Sequence, residues 1–310
     1  MLKAFLLAIL IILFGILAYT FYEFIPGEPQ ALQQIASQGQ TRDFNMTSSG
    51  EAKMFLTNLR FSNTNISYFV DPLCTSERKE KVKEAFGIVQ DRTLYLTFYE
   101  ASGKDAQITI GCSEEYKEIG NNKFIAGHGG PSEIIDTGLF NVILKGGVWL
   151  YQESQCDYPI VEIHEILHVL GFDHSPNPTD IMHDTLDCKQ RIGQEAITLL
   201  DRLYEIEPLS DLVISEVNAT KKGKYLDFEA VIKNQGLVDA ENVVLDVYDD
   251  GDFVKSFDLD RISAGAGRVL RVSNVNLKSR SSDTIGFTVR LESGAELDAD
   301  NNEAILTMRS

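Results

Sequence analysis

The segment His164-Glu165-Ile166-Leu167-His168-Val169-Leu170-Gly171-Phe172-Asp173-His174 decides how the rest of the chain is read. Four residues along an α-helix advance about 400°, so His164 and His168 share one face. Glu165 is turned roughly 100° from His164 and can lean over the same point without binding there. Gly171 can take a left-handed backbone conformation, which ends a helix and turns the chain sharply. That turn can return His174 to the other two histidines.

Three neutral imidazoles suit a zinc ion and leave a fourth position for water, whose pKa falls toward ~7 on the metal. A nearby carboxylate can take the proton of that water and later hand it to a leaving amine, and Glu165 has the position for it. A bare His-Glu-x-x-His also occurs on ordinary helices with unrelated histidines. Gly171 and His174 at the long-form spacing argue against that plainer reading.

Extended through Ser175 and on to Pro176-Asn177-Pro178-Thr179-Asp180-Ile181-Met182-His183, the segment resembles the metzincin metalloproteases. Ser175, directly after the third histidine, makes it similar to the matrixin branch. The resemblance covers roughly residues 55–207. It implies a zinc endopeptidase acting on protein or peptide substrates. Zinc would be held by His164, His168 and His174, with Glu165 as general base and Met182 in a methionine turn beneath the metal. The implied fold is an α/β (α+β) domain with a mixed twisted sheet. Matrixins usually carry an aromatic residue and a proline just after the methionine, whereas His183 and Asp184 follow here. That departure bears on the pocket for the residue after the cut and leaves the zinc site untouched.

The N-terminus bears on location. Ala4 to Tyr22 is an uncharged run bounded by Lys3 and Glu23, long enough to span a bilayer. Residues 1–22 are therefore expected as a transmembrane anchor. The competing reading is a cleaved signal peptide, but Ala18-Tyr19-Thr20 is a poor small-x-small cleavage site. Lys3 and the amino terminus on one side, against Glu23 and Glu28 on the other, place the bulk of the chain outside the cytoplasm. Four cysteines fit that compartment, and none forms a Cys-x-x-Cys pair. Three pairings are open. Cys74 with Cys112 and Cys156 with Cys188 is favoured, because the second pair would brace both ends of the histidine segment; four buried free thiols are the alternative.

Residues 23–54, rich in Gln, Ser, Gly and Pro, read as a linker with one short helix around Ala31–Ala36. They hold no cysteine, so a propeptide thiolate on the zinc has no candidate there. From Phe55, strands are expected over Asn65–Val70, Thr93–Tyr99, Ala106–Gly111, Phe124–Ile135 and Asn141–Tyr151. Thr75–Gln90 reads as a helix with Val82, Ala85, Phe86 and Val89 on one side. In matrixins the strand at Phe124–Ile135 borders the cleft, where an extended substrate pairs backbone to backbone. His128 in Gly127-His128-Gly129-Gly130 reads as a polar loop histidine, with a second metal as the alternative. Asp157 is the expected N-cap of the histidine helix, with Pro159 in its first turn. That helix is expected to bury one side and present the histidines to the cleft. Gly193–Ile206 is the last helix of the domain, and Pro208 ends it.

Residues 208–310 change character. Asp211–Val217, Tyr225–Lys233, Asn242–Tyr248, Phe253–Leu259, Arg268–Val275 and Thr284–Leu291 alternate at period two between Gly, Asp and Asn turns, the pattern of an all-β immunoglobulin-like sandwich. Val231-Ile232-Lys233-Asn234-Gln235-Gly236 and Asp298-Ala299-Asp300-Asn301-Asn302-Glu303 resemble the cell-adhesion-related (CARDB-type) domain of bacteria and archaea. The resemblance implies either a surface ligand or a plain spacer. Asp249-Asp250-Gly251-Asp252 and Asp298–Asn302 invite a calcium assignment. Neither has the twelve-residue loop spacing with its terminal glutamate, so both read as solvated turns and calcium is left without support. The net charge of −18 argues against nucleic acid as a partner. An anchored extracytoplasmic zinc endopeptidase is the leading functional reading. The alternative is a protease fold that has lost activity and serves adhesion, which nothing in the histidine segment favours.

Overall fold

The computed structural model describes residues 2–38, 46, 52–103, 105–113, 118–120, 123–151 and 155–308. In chain order the first elements are α1 (Leu2–Phe24), β1 (Pro29–Gln38), β2 (Leu59–Phe61), β3 (Asn65–Val70), α2 (Ser76–Arg92), β4 (Thr97–Glu100) and β5 (Ile108–Cys112). There follow β6 (Glu118–Gly120), β7 (Lys123–Phe124), β8 (Gly127–Asp136), β9 (Asn141–Leu150), α3 (Ile160–Val169) and α4 (Gln194–Tyr204). The last strands are β10 (Leu212–Lys222), β11 (Tyr225–Asn234), β12 (Ala240–Asp249), β13 (Asp252–Ile262), β14 (Gly267–Asn276), β15 (Thr284–Leu291) and β16 (Glu303–Met308). Two compact units result. One comprises Met1–Arg42, Leu209–Gln235 and Asp239–Ser310, and the other Asp43–Pro208 and Gly236–Val238.

The second unit is a mixed α/β fold. Its sheet runs β2-β9-β5-β3-β4, all parallel, with β8 antiparallel to β9. Parallel strands buried on both faces need near-continuous apolar runs, and Ile66, Ile108, Ile110, Ile143 and Val148 supply them. Helix α2 follows from Val82, Ala85, Phe86 and Val89, all buried, and its N-cap Thr75 accepts the amide of Arg78 at 3.2 Å. Phe86 stacks on Tyr68 of β3 with ring centroids 4.0 Å apart. Helix α3 packs on α2, β8 and β9.

Three expectations are corrected in this unit. Helix α3 begins at Ile160 with Pro159 at its cap position and no side-chain cap bond, so Asp157 does not cap it. The chain turns tightly there, with the Ile160 amide donating to the Tyr158 carbonyl at 2.7 Å. All residues of α3 are buried, including the histidine face, because β8 crosses that face closely. Residues 52–54 belong here and not to a linker: Ala52 is buried and Met54 bridges Phe172.

Arg60 on β2 is fully buried yet satisfied. Its guanidinium donates to the carbonyls of Phe61, Ser62, Leu203 and Ile206 and lies over the Tyr204 ring. The carbonyls at the end of a helix have no intrahelical partner, and Arg60 supplies donors to those of α4. Two disulfides tie the loops of this unit, Cys74–Cys112 and Cys156–Cys188, with Cα atoms 5.2 and 5.4 Å apart.

The first unit holds the all-β region. The stretches expected as strands beyond residue 208 coincide with β10 to β15, with ends shifted by a few residues. Their inward alternate residues, among them Leu226, Phe228, Leu245, Val247, Phe287 and Val289, form the sandwich core. The linker expected over residues 23–54 is overturned at Pro29–Gln38. Residues 29–31 pair antiparallel with β10, and residues 32–38 with β16, so β1 joins the two sheets. Two strand edges with unpaired backbone groups outweigh the weak helical preference of Gln-Ala-Leu-Gln-Gln, and Leu32 packs against the core. Residues 39–45 and 47–51 of the expected linker lie outside the described residues.

Helix α1 contains a span, Phe5–Phe24, long and apolar enough to cross a membrane. Its C-terminal end is held by Arg280, which donates to the carbonyls of Tyr22 at 2.9 Å and Ile25 at 2.6 Å. Nearby, a Cβ on Gly27 would lie 2.8 Å from the amide nitrogen of Gly223, so the turn after α1 fits its neighbour only without side chains.

Candidate metal centre

The sequence His-Glu-Ile-Leu-His places two imidazoles one turn apart on α3, and Gly171 ends the helix in the left-handed region at φ +105°. Added side-chain volume there would meet Leu59 at 2.9 Å. The chain reverses, and His174 arrives beside the helix. The Nε2 atoms of His168 and His164 are 3.0 Å apart, and those of His168 and His174 are 3.2 Å apart. Ligand nitrogens at the corners of a tetrahedral zinc site with Zn–N of about 2.0–2.1 Å would be separated by about 3.4 Å. Among the described residues these three form a group of His, Cys, Asp or Glu side chains whose ligand atoms all lie within 4.8 Å of one another, close enough to hold a metal.

The backbone sets the direction of two rings. His164 Nδ1 lies 2.6 Å from the carbonyl oxygen of Ile181, and His168 Nδ1 lies 2.7 Å from that of Phe172. A carbonyl can only accept, so both Nδ1 atoms carry the proton and both Nε2 lone pairs face the common point. Burial lowers the pKa of His164 to about 3, with His168 adding to the effect. Burial likewise lowers that of His168. Both rings are held neutral, the form that binds a metal. His174 is the exposed member of the set. Phe55 lies across His168, with ring centroids 5.8 Å apart.

Met182 is buried in the turn after the histidines. Its amide donates to Asp180 Oδ1 at 2.9 Å, and its carbonyl accepts the amide of Ser175 at 2.8 Å. The same turn therefore sets both His164, through Ile181, and the strand leaving His174, through Ser175. His183 and Asp184 face outward, with His183 Nδ1 3.3 Å from Asp184 Oδ1.

Glu165 points toward β8, is buried, and is held by the amide of Gly129. Burial raises its pKa to about 8, and the nearby Glu162 adds to the rise. The glycines of β8 make this approach possible. A Cβ on Gly127 would lie 2.7 Å from Glu165 Oε1, and one on Gly129 would lie 2.3 Å from the Glu165 carbonyl oxygen. His128, between them, is exposed, pairs across to Trp149 and is no member of the histidine cluster.

Several of these partners escape a reading of the sequence. Ile181, Phe172 and Gly129 act through backbone atoms, which no side-chain motif reveals. The run Gly127-His128-Gly129-Gly130 is the one signal that a backbone passes close to something. Glu162, buried in the first turn of α3 with its Oε2 atom unpartnered, carries no motif at all.

Residues 59–205 match the family model described as Matrixin, and residues 209–305 match that described as CARDB. Among solved structures, the chain is similar to the crystal structure of the CARDB domain of the PF1109 protein from Pyrococcus furiosus, in complex with di-metal ions. That match has 20% identity and a TM-score of 0.26, and covers 32% of this chain and 88% of that one. A search of curated proteins gave no match. Residues 59–205 of the chain are thus a domain of the matrixin family, and residues 209–305 are a CARDB domain.

Proposed function

We propose that this protein is a membrane-anchored zinc endopeptidase working outside the cytoplasm. One observation carries the reading. Two buried imidazoles give their Nδ1 protons to backbone carbonyls and so turn both Nε2 lone pairs toward the same point, beside Nε2 of His174. Lone pairs so close repel one another unless a cation lies between them. His164, His168 and His174 would hold zinc there, which supplies a Lewis acid for the scissile carbonyl and lowers the pKa of a water.

The chain's own residues do the rest. Glu165 takes the proton of the attacking water and returns it to the leaving amine. Its buried surroundings favour that shuttle, because a carboxylate with a raised pKa holds a proton more readily. The amide of Gly129 fixes the carboxylate's position. Among the described residues β8 pairs with β9 alone, and an extended peptide laid along its other edge would bring its backbone past the histidines. Met182 supports the floor of the site through the turn that positions Ile181.

Helix α1 supplies the anchor, and Lys3 at its start favours the cytoplasmic side for the N-terminus. Two disulfides belong in an oxidising compartment. The CARDB domain, whose Arg280 holds the end of α1, would offer a surface to a ligand outside the cell.

Purified full-length chain in detergent, analysed for metal and incubated with labelled casein, tests the reading. Zinc at one equivalent, with cleavage stopped by a chelator and restored by zinc, is the expected result. A zinc-loaded chain that cuts neither casein nor a peptide library would point to the adhesion alternative.

A further inference from the structure

The segment Asp298–Asn302 does not behave as the solvated turn its sequence resembles. Asn301 and Asn302 are 3% and 4% exposed, and the Oδ1 atom of each is buried without a partner. Their amide nitrogens lie on two carboxylates, Asn301 Nδ2 3.4 Å from Asp211 Oδ2 and Asn302 Nδ2 3.1 Å from Glu296 Oε1. Asp211 is fully buried. The other oxygens of the pair accept backbone amides, Asp211 Oδ1 from Asp298 at 3.1 Å and Glu296 Oε2 from Leu212 at 2.8 Å.

The charged neighbours acting on these carboxylates are other carboxylates, Asp298 on Asp211 and Asp211 on Glu296. Burial raises the pKa of Asp211 to about 6 and that of Glu296 to about 7. Near neutral pH the cluster therefore holds buried negative charge, which is costly unless a cation compensates it. Turning over the two asparagine amides exchanges Nδ2 for Oδ1 and leaves two amide oxygens facing two carboxylates. Buried waters could satisfy the orphaned oxygens but would leave the negative charge in place.

We infer that Asp211, Glu296, Asn301 and Asn302 form a binding site for a hard divalent cation of the calcium class. All four donors are oxygens, with no imidazole or thiolate among them, which disfavours zinc. Donors from the start of β10, the loop after β15 and the entry to β16 form an irregular set, which calcium tolerates and magnesium does not. The cation would pin the entry of β16 to β10, next to the strand pair that β1 completes.

The test uses the full zinc-loaded chain, stripped of calcium and titrated with calcium chloride. Isothermal titration gives the number of sites, and the circular-dichroism melt of the sandwich gives their effect. Calcium at about ten times its dissociation constant should raise the melting temperature of the sandwich by on the order of 5 °C. Glu296→Gln should lose one calcium equivalent and that shift while keeping its zinc. No shift in the parent, or the same shift and stoichiometry in Glu296→Gln, would overturn the inference. Should Glu296→Gln fail to fold, Asn302→Asp gives a second reading. Its added carboxylate should lower the calcium-free melting temperature and enlarge the calcium-induced rise, and an unchanged or smaller rise would overturn the inference.

Discussion

His164 Nδ1 sits 2.6 Å from the carbonyl oxygen of Ile181, one residue before Met182. The first histidine is thereby aimed by the methionine turn, and the turn is in part held by Asp180, whose Oδ1 accepts the Met182 amide. Outer partners of metal-binding histidines are worth 10–100-fold in metal affinity. Asp180→Ala should weaken zinc binding by about that factor, measured by competition with a chromophoric chelator, while the fold persists.

Gly129 and Gly130 are neighbours on β8 with opposite tolerance. A Cβ on Gly129 would lie 2.3 Å from the Glu165 carbonyl oxygen and 2.9 Å from its Cα, whereas one on Gly130 meets nothing within 4 Å. Gly129→Ala should shift β8 off α3 and displace Glu165. A loss of about 100-fold in kcat/KM is expected, since a misplacement of about 1 Å can cost that much. Gly130→Ala should retain the parent's activity.

Arg60 is a fully buried charge of the matrixin-like unit, and its pKa is lowered by burial to about 10. It stays charged at neutral pH because four carbonyls and the Tyr204 ring receive it. Arg60→Met leaves those carbonyls without donors, each buried orphan costing about 1–3 kcal/mol. Urea denaturation should show a loss of about 3 kcal/mol or more for that unit.

The acidity of Asp211 and Glu296 gives the sandwich a pH dependence of definite sign. Both folded pKa values lie above the ordinary values of these groups, about 6 against 3.8 and about 7 against 4.5. The folded state thus binds more protons than the unfolded one across that window, and stability falls as pH rises. In calcium-free buffer the sandwich should melt several degrees higher at pH 4.5 than at pH 8. Asp211→Asn with Glu296→Gln should flatten the profile. A melting temperature that rises over the same window would contradict this assignment.

The grouping of His164, His168 and His174 was legible in the sequence because its spacing is local: with Glu165 and Gly171 they fall within two turns and a reversal. Its backbone content was not. The carbonyls of Ile181 and Phe172 and the amide of Gly129 reach the site through packing of α3 on β8 and on the turn after His174. The sandwich strands were readable from alternation, as in Tyr225–Asn234, whose even positions are buried. Strand β1 was not, because Gln-Ala-Leu-Gln-Gln does not alternate and its partners, such as Thr220 and Met308, lie far along the chain. Asn301 and Asn302 read as a polar turn, since burial of an amide depends on what surrounds it. Asp157 failed as a cap because Pro159 forces a tight turn before the helix can start.

Replacement of Glu165, the carboxylate between His164 and His168 on α3, tests the central claim most directly. Glu165→Ala removes the proton shuttle and none of the three imidazoles. Zinc content and hydrolysis of a fluorogenic peptide should be measured on the same preparation of parent and variant. The account predicts zinc retained at one equivalent and kcat lowered by about 100-fold or more. A zinc-loaded Glu165→Ala chain that cleaves the peptide as fast as its parent would contradict it.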